Sequence, residues 1–335
     1  MNEHYIAIDW SQQNMAIARM TGRSEKVTTF EGPSDVRGIQ AYLKGLAGSK
    51  TLTVEESTGS QWLYTELKPY VDKMIVCDPY RNRLLSEGAK NDKIDSIKLV
   101  QLLKGGMLKE VFHNGDDFIY LRRMASGYDD LVEAGVRLKN QRSALFRGRG
   151  AKAGALSVDE FHEAEGFVVR QLESMIDGYE LRKKDYEKEF HRLSKKYQGI
   201  GHLKSLSGIA DIHAVQIAAR VVDARRFPSS GHFLSYCGLV KHEKISGGKS
   251  YGKRNSRYCR PLKRVFKLAA YSVIQERCNN PMRSFYQMLI DKKRLPDHVA
   301  RNAIARRIAV LAYGILKSGK KFNPHLAGGD EKTKT

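Results

Sequence analysis

Short apolar runs alternate with amphipathic stretches along the first part of the chain. "HYIAIDW" is apolar at consecutive positions and reads as a buried strand. "NMAIARM" follows after a polar break and "KVTTFEG" after another, and the short spacings predict antiparallel hairpins. "SDVRGIQAYLKGL" opens on a Ser/Asp start signal and places Val36, Ile39, Tyr42 and Leu43 at helical spacing. "TLTVEE" then reads as strand, "SQWLYTELKPY" as helix, "MIVCDP" as a strand ended by proline, and "DKIDSIKLVQLL" as helix.

Three hairpin-linked strands, helix, strand, helix, strand, helix is the order of the ribonuclease H-like fold, an α/β mixed sheet with helices on both faces. From about residue 115 the strand signal stops. Leu121, Met124, Tyr128, Leu131, Leu138 and Leu145 fall on alternating three- and four-residue steps, with Gly135 and Arg142 filling the gaps. After the glycine-rich break "RGRGAKAGALS", the pattern resumes through Val168, Leu172, Met175, Tyr179, Tyr186, Phe190, Leu193 and Tyr197. Two such heptad-like seams predict two long helices, forming an antiparallel hairpin or a dimerising coiled coil. From "LKSLSGIADIHAVQIAARVV" onward the chain reads as mostly helical, with polar, glycine-bearing connections, and the tail "AGGDEKTKT" reads as disordered. The expected organisation is a ribonuclease H-like domain over residues 1–112 and a coiled-coil-like arm over 113–198. A mostly α C-terminal domain over 199–325 and a disordered tail over 326–335 complete it.

Charge changes the picture. The 335 residues carry a formal net charge of +21, an excess that repels itself in a compact chain and calls for a polyanionic partner. The 41% hydrophobic content is globular rather than disordered. There is no apolar run near about 18 residues, no N-terminal signal pattern and no myristoylation glycine, so nucleic acid is preferred over a membrane. The cysteines Cys77, Cys237, Cys259 and Cys278 lack C-x-x-C spacing and a His companion at finger distances. Zinc is therefore not expected, and the thiols read as reduced, in a cytoplasmic protein.

Taken singly, the acids of the first domain have plain structural readings. Asp9 ends a strand, Glu56 precedes a turn, and Asp92 and Asp95 suit the N-cap and first turn of a helix. In the expected topology, however, the first and fourth strands are neighbours and the last helix crosses their end, which gathers all four. Converging carboxylates repel unless cations sit among them. Hard divalent ions take such oxygen ligands, and two ions about 4 Å apart clamp the attacking and leaving oxygens of a phosphodiester.

"YIAIDWS", "VEESTG" and "GAKNDKIDSIKL" resemble the D, E and D-x-x-D motifs of the DEDD transposases of insertion-sequence family 110, which includes the pilin-gene invertase and bridge-RNA-guided recombinases. The resemblance assigns Asp9, Glu56, Asp92 and Asp95 as catalytic metal ligands for magnesium or manganese. Glu56 is chosen over Glu55 because the family pattern is Glu, a small residue, Thr and Gly, here "ESTG". Strand alternation puts these two neighbours on opposite faces.

"LKSLSGIADIHAVQIAARV" resembles the helix-hairpin-helix-like entry of the family's second domain. It reads either as a phosphate clamp at a helix N-terminus or, with Ala210 where the second glycine usually stands, as an ordinary helix–helix turn. "RRFPSSGHFLSYCGLVKHEKISGG" continues the resemblance through Phe233, Tyr236, Gly238 and Leu239, and implies that Ser246 is the nucleophile. A serine hydroxyl needs a base, a metal or a cationic setting to attack phosphorus. Lys249, Lys253, Arg254, Arg257, Arg260, Lys263 and Arg264 follow it, dense enough to favour phosphate contact over a solvated face.

The expectation is a DNA transposase or recombinase acting through a covalent phosphoserine on donor and target DNA. The resemblance implies a bridge RNA and a homodimer or tetramer. The rivals are a Holliday-junction-type nuclease hydrolysing with water, and a non-catalytic nucleic-acid-binding protein.

Overall fold

The computed structural model describes residues 2–80, 92–115, 117–254, 256–275 and 280–323. The chain divides into two compact units, Met1–Asp116 and Asp117–Thr335.

The first unit is built on β1 (Glu3–Trp10), β2 (Asn14–Thr21), β3 (Ser24–Pro33), β4 (Ser49–Glu55), β5 (Lys73–Cys77) and β6 (Glu110–Val111). They form one sheet in the order β3-β2-β1-β4-β5-β6. The β1–β2 and β2–β3 pairs are antiparallel, while β1–β4 and β4–β5 are parallel. Parallel neighbours need crossovers, supplied by α1 (Val36–Gly45) between β3 and β4 and by α2 (Ser60–Leu67) between β4 and β5. The Asp35 carboxylate accepts from the Arg37 N–H and starts α1 as the sequence signal predicts. α3 (Asp92–Lys104) follows, and β6 closes the sheet antiparallel to β5. At two residues, β6 carries no periodicity to read.

Side chains alternate across the sheet. Ile6 and Ile8 of β1 with Leu52 and Val54 of β4 pack on Ile39 and Leu43 of α1 and on Leu63 and Leu67 of α2. On the other face, Ala7, Ala18, Met20 and Cys77 pack on Leu99 and Val100 of α3. Asp9, two residues beyond Ala7, therefore belongs to the α3 side.

The second unit opens with α4 (Leu121–Gly148) and α5 (Glu163–Lys196), which run antiparallel. Tyr128 meets Tyr186, Lys139 pairs with Glu180 at 2.5 Å, Arg142 with Glu173 at 3.9 Å, and Arg149 with Glu165. Each step up one helix is thus a step down the other. Of the two sequence readings, this is the hairpin. Its far end is closed by Phe146, Phe161 and Val169. Its root does not stand apart. Leu121, Ala125, Tyr128, Phe190 and Leu193 share one core with α7 (Asp211–Val221), α9 (Arg260–Gln275) and α11 (Asp297–Ser318). α6 (Gln198–Leu203), α8 (Ser230–Tyr236) and α10 (Pro281–Asp291) complete the helices.

Between α8 and α9 the expectation of helix and loop gives way to a two-stranded hairpin, β7 (His242–Ser246) and β8 (Lys249–Arg254). Gly247 and Gly248 form its turn at φ +56° and +74°, the left-handed values that a two-residue hairpin turn of the primed class needs. No helix among the described residues is long and apolar enough to cross a membrane. The expected disordered tail, Cys278 and the "GAKN" of the third acidic motif lie outside the described residues.

Candidate active site

Asp9 lies near the end of β1 and is half-buried. The parallel register pairs Ile8 with Val54, so one step on Asp9 runs level with Glu55. α3 packs beneath Ala7, and its first turn carries Asp92 and Asp95, the former exposed and the latter half-buried. Burial together with the charges of Asp92, Glu55 and Asp95 pushes the Asp9 pKa up to about 6. Burial first, and then repulsion from the neighbouring carboxylates, disfavour its charged form, and positive charge placed among them would favour it.

Asp92 and Asp95 thus lie within electrostatic reach of Asp9. The strand register differs from the sequence choice in one respect. Glu55, the last residue of β4, shares the face of Asp9 and acts on it, and Glu56 is not among the groups that do. Glu56 is the first residue past the strand, exposed, its N–H bonded to the Cys77 carbonyl at 2.9 Å. Among the described residues, no group of three or more His, Cys, Asp or Glu side chains is gathered closely enough to hold a metal ion. The donor chemistry nonetheless fits a hard divalent cation: oxygens only, mutually repelling and partly desolvated.

Ser246 closes β7, opposite Lys249 across the Gly247–Gly248 turn. Every residue of the hairpin is exposed, and space is open around both glycines. The serine therefore stands at the tip of a projecting ribbon. The hairpin is tied down at its root. The Ser235 hydroxyl on α8 bonds His242 Nε2 at 2.9 Å and the Ser256 hydroxyl at 3.0 Å, holding the start of β7 and the segment after β8 to the same helix. His242 is thus engaged with Ser235. Sequence reading passed over Ser235 because two hydroxyls and an imidazole scattered over some twenty positions carry no periodic signal.

With this geometry in view, comparison with known proteins is decisive. A model of DEDD transposases of the IS110 type matches residues 6–148, and a model of the transposase IS116/IS110/IS902 family matches residues 201–287. The chain belongs to the IS110 family of transposases. It is 26% identical over 169 residues to an uncharacterised 43.6 kDa protein of insertion element IS110 from Streptomyces coelicolor, covering 49% of this chain and 40% of that one. It is 22% identical over 210 residues to the transposase for insertion sequence element IS1328 from Yersinia enterocolitica, covering 59% and 63%. The matched segments thus span less than two thirds of either relative's length.

In this IS110-family chain the predicted phosphate-binding cations fall into two groups. Lys249, Lys253, Arg254, Arg257 and Arg260 are exposed on the hairpin and the approach to α9. Lys263 and Arg264 are half-buried. Lys263 lies 4.5 Å over the ring of Tyr258, and Arg264 pairs with Asp129 and, at 3.7 Å, with Glu133. Arg264 is therefore committed to carboxylates of α4. Asp129 also takes Arg220 at 2.5 Å and the Gln216 amide at 2.9 Å, so this buried acid locks α4, α7 and α9 together.

The entry to α7 carries Asp211 in its first turn. Burial raises the Asp211 pKa, but hydrogen bonds from Lys204, Ser194 and His191 outweigh it and pull the value down to about 2. Ala210 at the N-cap offers no side-chain hydrogen bond, and the Asp211 carboxylate of the first turn is bonded to Ser194, Lys204 and His191 instead of the helix backbone. Burial pushes the Cys237 and Cys259 thiols up, which leaves neither as a thiolate nucleophile at neutral pH.

Proposed function

We propose that this chain is a DNA transposase or recombinase that cleaves and exchanges strands at specific sites through a covalent phosphoserine on Ser246. The observation that carries the reading is Asp9, half-buried on a central strand and raised to about 6 by burial and by three further carboxylates. The strand order from β3 through β5 supports taking the first unit as ribonuclease H-like. On this reading Asp9, Glu56, Asp92 and Asp95 hold magnesium or manganese. Glu55 is the competitor for the second place, because the family motif selects Glu56 and the β-register selects Glu55. When bound, the metal would neutralise the scissile phosphate and polarise its ester bond.

The serine at the hairpin tip attacks phosphorus. The Ser246 Oγ–P bond forms as the P–O bond to one strand end breaks, and the serine proton leaves on the departing hydroxyl. Attack by the hydroxyl of a different strand reverses these changes and reseals the backbone, so exchange needs no external energy source. Lys249, Lys253, Arg254, Arg257, Arg260 and Lys263 hold phosphates and offset the charge of the pentavalent transition state, with Arg264 bracing them from its pair with Asp129. Donor and target DNA are the substrates. A bridge RNA that pairs with both and a dimer or tetramer belong to the same proposal, drawn from the family resemblance.

The test is a cleavage reaction on element-end DNA, resolved on denaturing gels before and after protease. DNA linked to protein is expected with the wild type, and none with Ser246→Ala, Asp9→Asn or a chelator. Free ends retained by Ser246→Ala would instead establish hydrolysis by water. Glu56→Gln is expected to abolish the adduct and Glu55→Gln only to reduce it; the opposite pattern would assign the second acid to Glu55.

A further inference from the structure

The outer face of α9 carries more than charge. Arg260, Lys263, Lys267 and Tyr271 recur at three- and four-residue steps and so share one side of the helix, while Leu262, Val265, Phe266, Ala269 and Val273 fill the buried side. Lys267 is exposed, and Leu268 and Tyr271 each keep 50% of their surface in solvent. A shallow cavity of about 400 Å³ is lined by Tyr258, Arg260, Lys263, Arg264, Lys267 and Leu268, four cations and no carboxylate. Arg301 of α11 stands 5.6 Å from the Tyr271 ring centre, cation against aromatic face.

Resting on the reading of the chain as an enzyme of DNA strand exchange, we infer that this face seats an unpaired nucleic-acid strand. Phosphates run along Arg260, Lys263 and Lys267, and a base stacks on Tyr271 beside Leu268. A row of cations alone would serve duplex and single strand alike, because both present phosphates. An exposed ring and an exposed leucine next to that row discriminate. Bases within a duplex are already stacked on each other, whereas those of a separated strand have open faces, and stacking on an aromatic side chain is tolerant of sequence. Strand exchange creates such separated strands, and a helix face that receives them would keep them from re-pairing.

The test uses the full chain without divalent cations, with fluorescence anisotropy of a labelled oligothymidine and of a duplex of equal length. Tyr271→Leu is expected to weaken the single strand about fivefold to 150-fold and to leave the duplex unchanged. Tyr271→Trp, which keeps a stacking ring, is expected to retain single-strand binding. Lys267→Gln is expected to weaken the single strand and to flatten its log-affinity against log-salt slope by about 0.7. Equal loss for both probes in Tyr271→Leu, no loss for either, or loss with Tyr271→Trp would each overturn the inference. Because binding is read without cleavage, a Ser246→Ala protein that still yields an adduct would end the serine mechanism and leave this measurement standing.

Discussion

Asp129 shows how one buried side chain organises three helices. Its carboxylate faces Arg220, which is 6% exposed, and Arg264. Removing the acid leaves Arg220 charged and unpaired in the interior, so Asp129→Ala is expected to cost about 3–5 kcal/mol in urea unfolding. Arg264→Ala, at a more exposed partner that leaves Arg220 in place, is expected to cost much less. Asp211 makes a pH prediction. Its folded pKa, about 2, lies below the unfolded value of about 3.9. The stabilisation is thus present above the unfolded pKa and disappears as pH falls from about 4 through about 2. Thermal melts should show Asp211→Asn less stable than wild type at neutral pH, with the gap closing at the acid end of that window. Asp9 was legible in the sequence because it ends an unbroken apolar strand. The choice between Glu55 and Glu56 was not, because it turns on a register between strands that no local pattern encodes.

At the scale of elements, periodicity served where an element is long or has one apolar face. The first five strands, α1, α2 and both arm helices follow their patterns. The β7–β8 hairpin buries no side chain, so no alternation marks it. What marks it is the Gly-Gly pair, a turn signal when flanked by strand-forming residues. The turn also makes it testable. With Gly247 and Gly248 both at positive φ, a residue with a Cβ is disfavoured there by about 1–2 kcal/mol each. Val at both positions should fray the tip and lower adduct formation about tenfold or more, given about 1.4 kcal/mol per factor of ten. The melting temperature should stay unchanged, because the hairpin contributes nothing to the core. A matching fall in melting temperature would show the hairpin to be part of the fold rather than a carrier for Ser246.

For the whole molecule, the sequence suggested a boundary on either side of the arm, because the amphipathic seams of α4 and α5 look self-sufficient. The structure places only one break, after Asp116, and the reason is hydrophobic. Leu121, Ala125, Tyr128, Phe190 and Leu193 are buried against α7, α9 and α11, contacts that heptad spacing cannot reveal since it reports a buried face and not the partner. Fully burying each of the larger side chains is worth about 1.5–3 kcal/mol. Stripping four of them from that core removes a sum comparable to the whole stability of a typical domain, about 5–15 kcal/mol. A fragment beginning at residue 117 is therefore expected to unfold in one cooperative transition. A fragment beginning at residue 199 is expected to lack one and to bind a hydrophobic dye, as circular dichroism melts and dye fluorescence would register. If the shorter fragment melts cooperatively, the arm is a separate body and its root is not part of this core.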